Sequence, residues 1–217
     1  MIKRLLNNLF MIKNYSNCYV IQFEDHSIVV DAGMDKKAKG LLEVLERVKK
    51  PEAVLITHAH LDHINGLAKL KEKFPEIKFF CSEKAKQAVE GKEILLPKGL
   101  ERFFFKFLTF FVRYKPVEAE AIKESFEAVK VFETPGHTNG CISFLLEVDE
   151  KKVLFCGDLL INQRGLSLPP SNFNFNEKLQ IESINKILKL DWDWLLPGHG
   201  EVLTEKTKIK EFLEKFS

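Results

Sequence analysis

A layered α/β domain spanning residues 1–217 is the fold class this sequence predicts, on three observations. Short apolar and β-branched runs of strand length alternate with segments whose leucines recur at helical spacing. The residues best suited to site chemistry stand at or just beyond the ends of those runs, where loops on a rigid scaffold can gather side chains from distant positions. No linker or low-complexity stretch divides the chain, and 217 residues (25.1 kDa) suit one domain with a substantial core.

Taken in order, Cys18 to Phe23 and Ser27 to Val30 are strand-like runs split by Glu24-Asp25-His26, which reads as a hairpin turn with His26 solvated. Ala38 to Lys49 carries Leu41, Leu42, Leu45 and Val48 at helical spacing, and Pro51 follows its end. Ala53 to Ile56 is a short buried strand that delivers the chain to a histidine-rich stretch. Asn65 to Phe74 is a helix with Leu67 and Leu70 inward, stopped by a proline, and Ile77 to Cys81 is a strand. The second half repeats the theme. Val129 to Glu133 is a strand ending at Pro135-Gly136-His137, and Ile142 to Val148 with Val153 to Cys156 form a hairpin around Asp149-Glu150-Lys151-Lys152. Leu179 to Leu190 is a helix, and Trp192 to Leu196 is a strand ending at Pro197-Gly198-His199.

The stretch Thr57-His58-Ala59-His60-Leu61-Asp62-His63 holds three of the six histidines and a carboxylate, a density that packing does not require. His137 and His199 occupy loops, and Asp158 follows the apolar run that ends in Cys156-Gly157. Imidazole and carboxylate are ligands that borderline divalent metals such as zinc prefer. His58 and His60 are two apart, so in an extended segment both project to one side and can share an ion. Asp62 and His63 are adjacent and diverge.

His58-x-His60-x-Asp62-His63 followed by His137, Asp158 and His199 resembles the metallo-β-lactamase superfamily. The resemblance runs from about Asn17 to Leu203 and is also carried by Ser16-Asn17-Cys18-Tyr19, Val29-Val30-Asp31-Ala32-Gly33 and Gly136-His137-Thr138. It implies an αβ/βα four-layer sandwich with the metal site at one edge of two facing sheets. It also implies a division of ligands, with His58, His60 and His137 on one ion, Asp62, His63 and His199 on a second, and Asp158 bridging. Two divalent ions, zinc foremost with iron or manganese as alternatives, would lower the pKa of a shared water from 15.7 in bulk toward about 7. The resulting hydroxide would attack an ester-like bond, with Asp62 and Asp158 as the catalytic carboxylates. Asp31 matches a superfamily aspartate that orients a ligand histidine; on its own it also reads as a turn cap before Gly33.

Aspartate rather than cysteine at 158 is unlike the principal antibiotic-cleaving lactamases and closer to the glyoxalase II-like branch, so a metal-dependent hydrolase of thioesters or lactones is implied. Glyoxalase II adds a C-terminal helical segment for glutathione, whereas this sequence stops at Ser217, which argues against glutathione recognition. Ribonuclease Z relatives act on phosphodiesters with an added RNA-binding arm, and persulfide dioxygenases use one iron to oxidise sulfur. A phosphodiesterase, a mononuclear iron dioxygenase and a non-catalytic ligand-binding module therefore stand as alternatives.

Composition narrows the partners. The formal charge of +2 and the lack of a basic cluster with spaced aromatics argue against nucleic acid. Cys18, Cys81, Cys141 and Cys156 are scattered, which predicts small buried thiols in a reducing cytoplasm rather than a disulfide framework. Cys156, two residues before Asp158, should share its face. Asn7-Asn8 interrupts the N-terminal apolar run too early for a signal peptide, and no segment is long enough to span a membrane. The atypical part is an aromatic insertion near 95–117. Across 100–115, six phenylalanines with Leu100, Leu108 and Val112 would cover roughly 220° of a helix. That arc suits an intramolecular cover, a homodimer interface or an interfacial membrane helix. It could also wall a pocket for a small-molecule substrate with an apolar part.

Overall fold

The computed structural model describes residues 1–93, 114–122 and 128–216. The predicted helix over 100–115, with the cover, dimer and membrane roles assigned to it, lies outside the described residues except at Tyr114 and Lys115.

The first sheet runs in chain order through β1 (Ile2–Leu6), β2 (Leu9–Lys13), β3 (Asn17–Gln22), β4 (Ser27–Val30), β5 (Pro51–Leu55), β6 (Lys78–Cys81) and β7 (Glu120–Ala121). β1 to β4 pair antiparallel, and β4 to β7 pair parallel through intervening helices. Those helices are α1 (Lys39–Leu45), α2 (Leu61–Ile64), α3 (Leu67–Lys73) and α4 (Glu83–Val89). The second sheet is built from β8 (Lys130–Glu133), β9 (Ile142–Val148) and β10 (Lys151–Gly157). After a small ribbon of β11 (Ile161–Asn162) and β12 (Leu166–Ser167) and the helix α5 (Glu177–Leu188), β13 (Trp194–Pro197) joins β10 in parallel. α6 (Lys206–Leu213) follows.

Strand alternation sorts the apolar side chains into three layers. Val20 and Val29 back onto Leu41, Leu67, Leu70 and Val89 of the first helical layer. Their neighbours Tyr19, Ile21, Ile28 and Val30 face the other sheet, meeting Phe144, Leu146, Val153 and Phe155. Leu145 and Leu154 turn outward onto Ile184, Ile187, Ile209 and Phe212. Inner strands are thus apolar on both faces, which is why their sequences read as unbroken hydrophobic runs. The order helix, sheet, sheet, helix is the predicted αβ/βα sandwich.

The differences from the sequence reading have local causes. The N-terminal segment is a hairpin whose turn is Asn7-Asn8, so the interruption of its apolar run marks a reversal of the chain. The helix predicted from Asn65 begins at Leu67 as α3, beyond Gly66, and a separate short helix not predicted, α2, precedes it and carries Asp62 and His63. A β-carbon at Gly66 would lie 2.3 Å from the Ala32 carbonyl oxygen, so only glycine lets these helices approach the β4 end. The final strand begins at Trp194, because Trp192 is buried in the outer layer with its indole N–H donating to the Ile187 carbonyl at 2.9 Å. Among the described residues no helix is long and apolar enough to cross a membrane.

Candidate metal centre

Four strand ends deliver the site. β5 ends at Leu55, and three residues later the chain places His58, which is fully buried. His60 is the extended N-cap residue of α2, and Asp62 and His63 lie on that short helix. Successive helical residues leave the axis about 100° apart, yet the tips of these two side chains converge, with Asp62 Oδ2 3.7 Å from His63 Nε2, so the expected divergence does not hold. His137 stands in the β8–β9 loop, Asp158 directly after β10, and His199 two residues beyond β13.

Glycines make the close approaches possible. Gly157 has φ 53°, turning the chain between Cys156 and Asp158. Cys156 therefore packs with Leu154 and Ile184 in the outer layer while Asp158 enters the site, and the expectation that they share a face does not hold. A β-carbon at Gly198 would lie 2.2 Å from Asp158 Oδ1 and 2.6 Å from His63 Cε1. The Pro197-to-Gly200 turn is clamped from β3: Asn17 Nδ2 donates to the carbonyls of Pro197 (3.0 Å) and Gly200 (2.9 Å), and the Tyr19 hydroxyl to Pro197 (2.6 Å). Ser16 Oγ donates to the Asp62 carbonyl, so one segment holds both halves of the site.

All seven candidate ligands converge. His60 Nδ1 and His137 Nε2 are 2.8 Å apart, and Asp158 Oδ2 is 3.9 Å from His58 Nε2 and 3.6 Å from His137 Nε2. On the other side, Asp158 Oδ1 is 3.4 Å from His63 Nε2 and Asp158 Oδ2 is 3.3 Å from His199 Nε2. Asp62 Oδ2 lies 3.1 Å from His199 Nε2 and 3.7 Å from His63 Nε2. The ligand atoms group as His58, His60 and His137; as Asp62, His63 and His199; and across the middle as His58, His63 and Asp158, each within 4.8 Å. Two ligands on one zinc ion stand roughly 3–3.5 Å apart, so these separations match.

The hydrogen bonds fix the tautomers. His63 Nδ1 faces Asp31 Oδ2 at 2.8 Å, and His199 Nδ1 faces the Tyr15 carbonyl at 3.1 Å, so each Nδ1 carries the proton. The Thr57 hydroxyl donates to Asp31 Oδ2 at 2.7 Å, leaving its oxygen to accept from His58 Nδ1 at 3.1 Å. His137 Nδ1 faces Asn174 Oδ1 at 2.9 Å. Four Nε2 atoms are thereby turned inward, while His60 presents Nδ1 instead. Asp31 acts on more than one ligand, as its second oxygen accepts from the Thr57 backbone N–H at 2.8 Å. The predicted role of Asp31 has its geometry; Thr57, Asn174 and the Tyr15 carbonyl are supports the sequence reading missed. Thr57 at least borders the motif, whereas nothing local marks Asn174. His26 stays outside the site, stacked on Phe23.

The two sides of the site differ in charge, with His63 and His199 set against Asp62 and Asp158 on one side. Burial alone would lower His63 and His199, but Asp158 and Asp62 outweigh it and hold both up, His199 at about 9. Burial would raise Asp158 and Asp62, yet His63 and His199 keep both carboxyls below their ordinary range. Burial lowers His58, His60 and His137, with His60 reaching about 3. Neutral imidazoles thus sit on one side and two carboxylates in the middle. Among the described residues, His58 Nε2, His63 Nε2 and Asp158 Oδ1 are buried without a hydrogen-bond partner. Orphaned buried polar atoms of this kind are costly unless a ligand takes them up, and divalent ions fit this set of imidazoles and carboxylates.

A sequence model of the metallo-beta-lactamase superfamily matches residues 12–199. The hydroxyacylglutathione hydrolase GloC of Haemophilus influenzae is 31% identical, over 87% of this chain and 87% of its own length. The hydroxyacylglutathione hydrolase of Francisella philomiragia is also 31% identical, over 87% of this chain but only 62% of its own length. Among solved structures, the BLEG-1 B3 metallo-beta-lactamase is similar with a TM-score of 0.67 at 26% identity, covering 90% of this chain and 91% of that one.

Proposed function

The chain belongs to the metallo-beta-lactamase superfamily, and from that premise we propose that it is a metal-dependent hydrolase cleaving an ester-like bond of a small molecule, thioester or lactone ahead of phosphodiester. The observation that carries this reading is the convergence of five imidazoles and two carboxylates with three orphaned buried ligand atoms. The hydroxyacylglutathione hydrolases among its relatives support the preference for thioesters. His58, His60 and His137 would hold one divalent ion and Asp62, His63 and His199 a second, zinc by preference, with Asp158 shared between them. Bound ions supply Lewis acidity and a water-derived nucleophile at neutral pH.

The chain's own residues do the rest. Asp62, held ionised by His63 and His199, accepts a proton at Oδ2 and orients the attacking water. Cys141 and Cys156 are buried with their thiols pushed up, Cys141 to about 12, so neither supplies a covalent nucleophile and no acyl-enzyme forms. Aromatic rings flank the site, Tyr15 at 6.0 Å from the His199 ring and Phe173 at 6.5 Å from His60, which favours a substrate with an apolar part. Four free, buried cysteines suit a reducing compartment such as the cytoplasm.

The test is a panel of thioesters, lactones and phosphodiesters with zinc- or manganese-loaded protein, accompanied by elemental analysis. Thioester or lactone turnover, abolished by a chelator, and close to two metal equivalents are expected. Asp62→Asn should cut turnover heavily with metal retained. Turnover confined to phosphodiesters, or saturation at one iron with oxidation of a persulfide, would overturn the reading.

A further inference from the structure

His137 differs from the other ligands in how it is held, because its support comes from a distant loop that no motif marks. Asn174 lies between β12 and α5 and is 4% exposed. Its Nδ2 donates to the Pro169 carbonyl at 3.2 Å. A carbonyl only accepts, so this bond fixes the orientation of the amide and leaves Oδ1 as the group facing His137 Nδ1 at 2.9 Å. An oxygen acceptor there requires the proton on Nδ1 and turns the Nε2 lone pair toward His60 and Asp158. The backbone repeats the connection: Phe175 N–H donates to the His137 carbonyl at 2.9 Å and Asn176 N–H to the Gly136 carbonyl at 2.8 Å. Asn176 then caps α5, its side chain accepting from the Leu179 N–H. Ser183, one turn further along α5, donates to the Pro135 carbonyl at 2.7 Å. The ring and the loop beneath it are therefore set from one segment.

We propose that Asn174 is a positioning residue that locks the His137 imidazole in its Nδ1-protonated tautomer and thereby sets the affinity of the His58–His60–His137 position for a divalent ion. The proposal rests on the metal-centre part of the reading above and is independent of which bond is hydrolysed. Its competitor is a purely structural role, in which Asn174 merely anchors the loop to Pro169.

Two variants separate these roles. Asn174→Ala removes both bonds of the amide, whereas Asn174→Asp keeps an oxygen toward Nδ1 but replaces the bond to Pro169 with an acceptor facing its carbonyl. Zinc affinity is measured by competition with a chromophoric chelator, and the tautomer by imidazole ¹⁵N shifts of His137 in the metal-free protein. Wild-type protein should show the Nδ1–H tautomer. Asn174→Ala should lose that preference and bind the zinc equivalent assigned to His58, His60 and His137 about 10–100-fold less tightly. Asn174→Asp should keep the tautomer and stay near wild-type affinity, which holds the test open if the alanine variant does not fold. An alanine variant within twofold of wild type, or an aspartate variant as weak as alanine, would overturn the role given to Asn174 while leaving the metal centre intact. Wild-type protein that binds no zinc would overturn the metal-centre reading and this proposal together.

Discussion

Asp31 has φ 57°, a left-handed conformation that an aspartate occupies only when its surroundings repay the strain. Here three donors do so: the Thr57 N–H, the Thr57 hydroxyl and His63 Nδ1. Asp31→Asn would set an amide N–H against one of those donors. The expected outcome is zinc affinity lower by about 10–100-fold and a stability loss of about 1–3 kcal/mol, read by chelator competition and thermal unfolding. Gly198→Ala tests the opposite limit, since its β-carbon would strike Asp158 Oδ1 and His63. It should lower metal content with far-ultraviolet circular dichroism unchanged. Burial raises all four thiols, so native protein at pH 8 should resist alkylation, and all four should react once unfolded. At this scale the candidate ligands were legible because packing never requires histidines massed beside aspartates. Asn174 was not, because it meets His137 across thirty-seven residues of chain through a contact that exists only once the loop has folded.

The β9–β10 hairpin shows what the sequence conveys about an element and what it hides. Both strands were legible from apolar runs buried on two faces, but their turn was read as four residues. It has two, Asp149 and Glu150, with φ 48° and 61°. Positive φ at both central positions is the two-residue turn whose twist matches its strands, and glycine is favoured at the second. Glu150→Gly should therefore stabilise the protein by about 0.5–1 kcal/mol, measured by urea unfolding of metal-loaded samples. Asp149 is different, since its carboxylate accepts from the Asn8 N–H at 2.8 Å and the Asn8 side-chain amide at 2.7 Å. Asp149→Gly should lose that benefit and destabilise. Among the described residues three α-helices escaped the sequence reading, the single turn α2 within the histidine stretch being one. α4 announces itself only by a Ser82 cap on the Ala85 N–H, and α6 only by Ile209 and Phe212, too few apolar positions to set a period.

Across the whole molecule, the candidate ligands come from both sheets: His58 to His63 follow β5 of the first, while His137, Asp158 and His199 belong to connections of the second. Bound ions would therefore join the two halves. Zinc at 1,000 times its dissociation constant should add about 4 kcal/mol per site, so a chelator should lower the melting temperature and zinc restore it. An unchanged melting temperature would mean that the ligand groups do not bridge the sheets energetically. This layering was predicted through a resemblance; the alternation that produces it could be read strand by strand, but the facing of the sheets could not. The bond between Asn8 and Asp149 stands at the far end of the same sandwich, where the β1–β2 and β9–β10 turns meet. The two ends thus answer to different solutes. Removing metal should speed amide hydrogen exchange around residues 57–63 and 198–200 while the turns at 7–8 and 149–150 keep their protection. Asp149→Gly should reverse that map, so that the protein breathes from whichever end has lost its fastening.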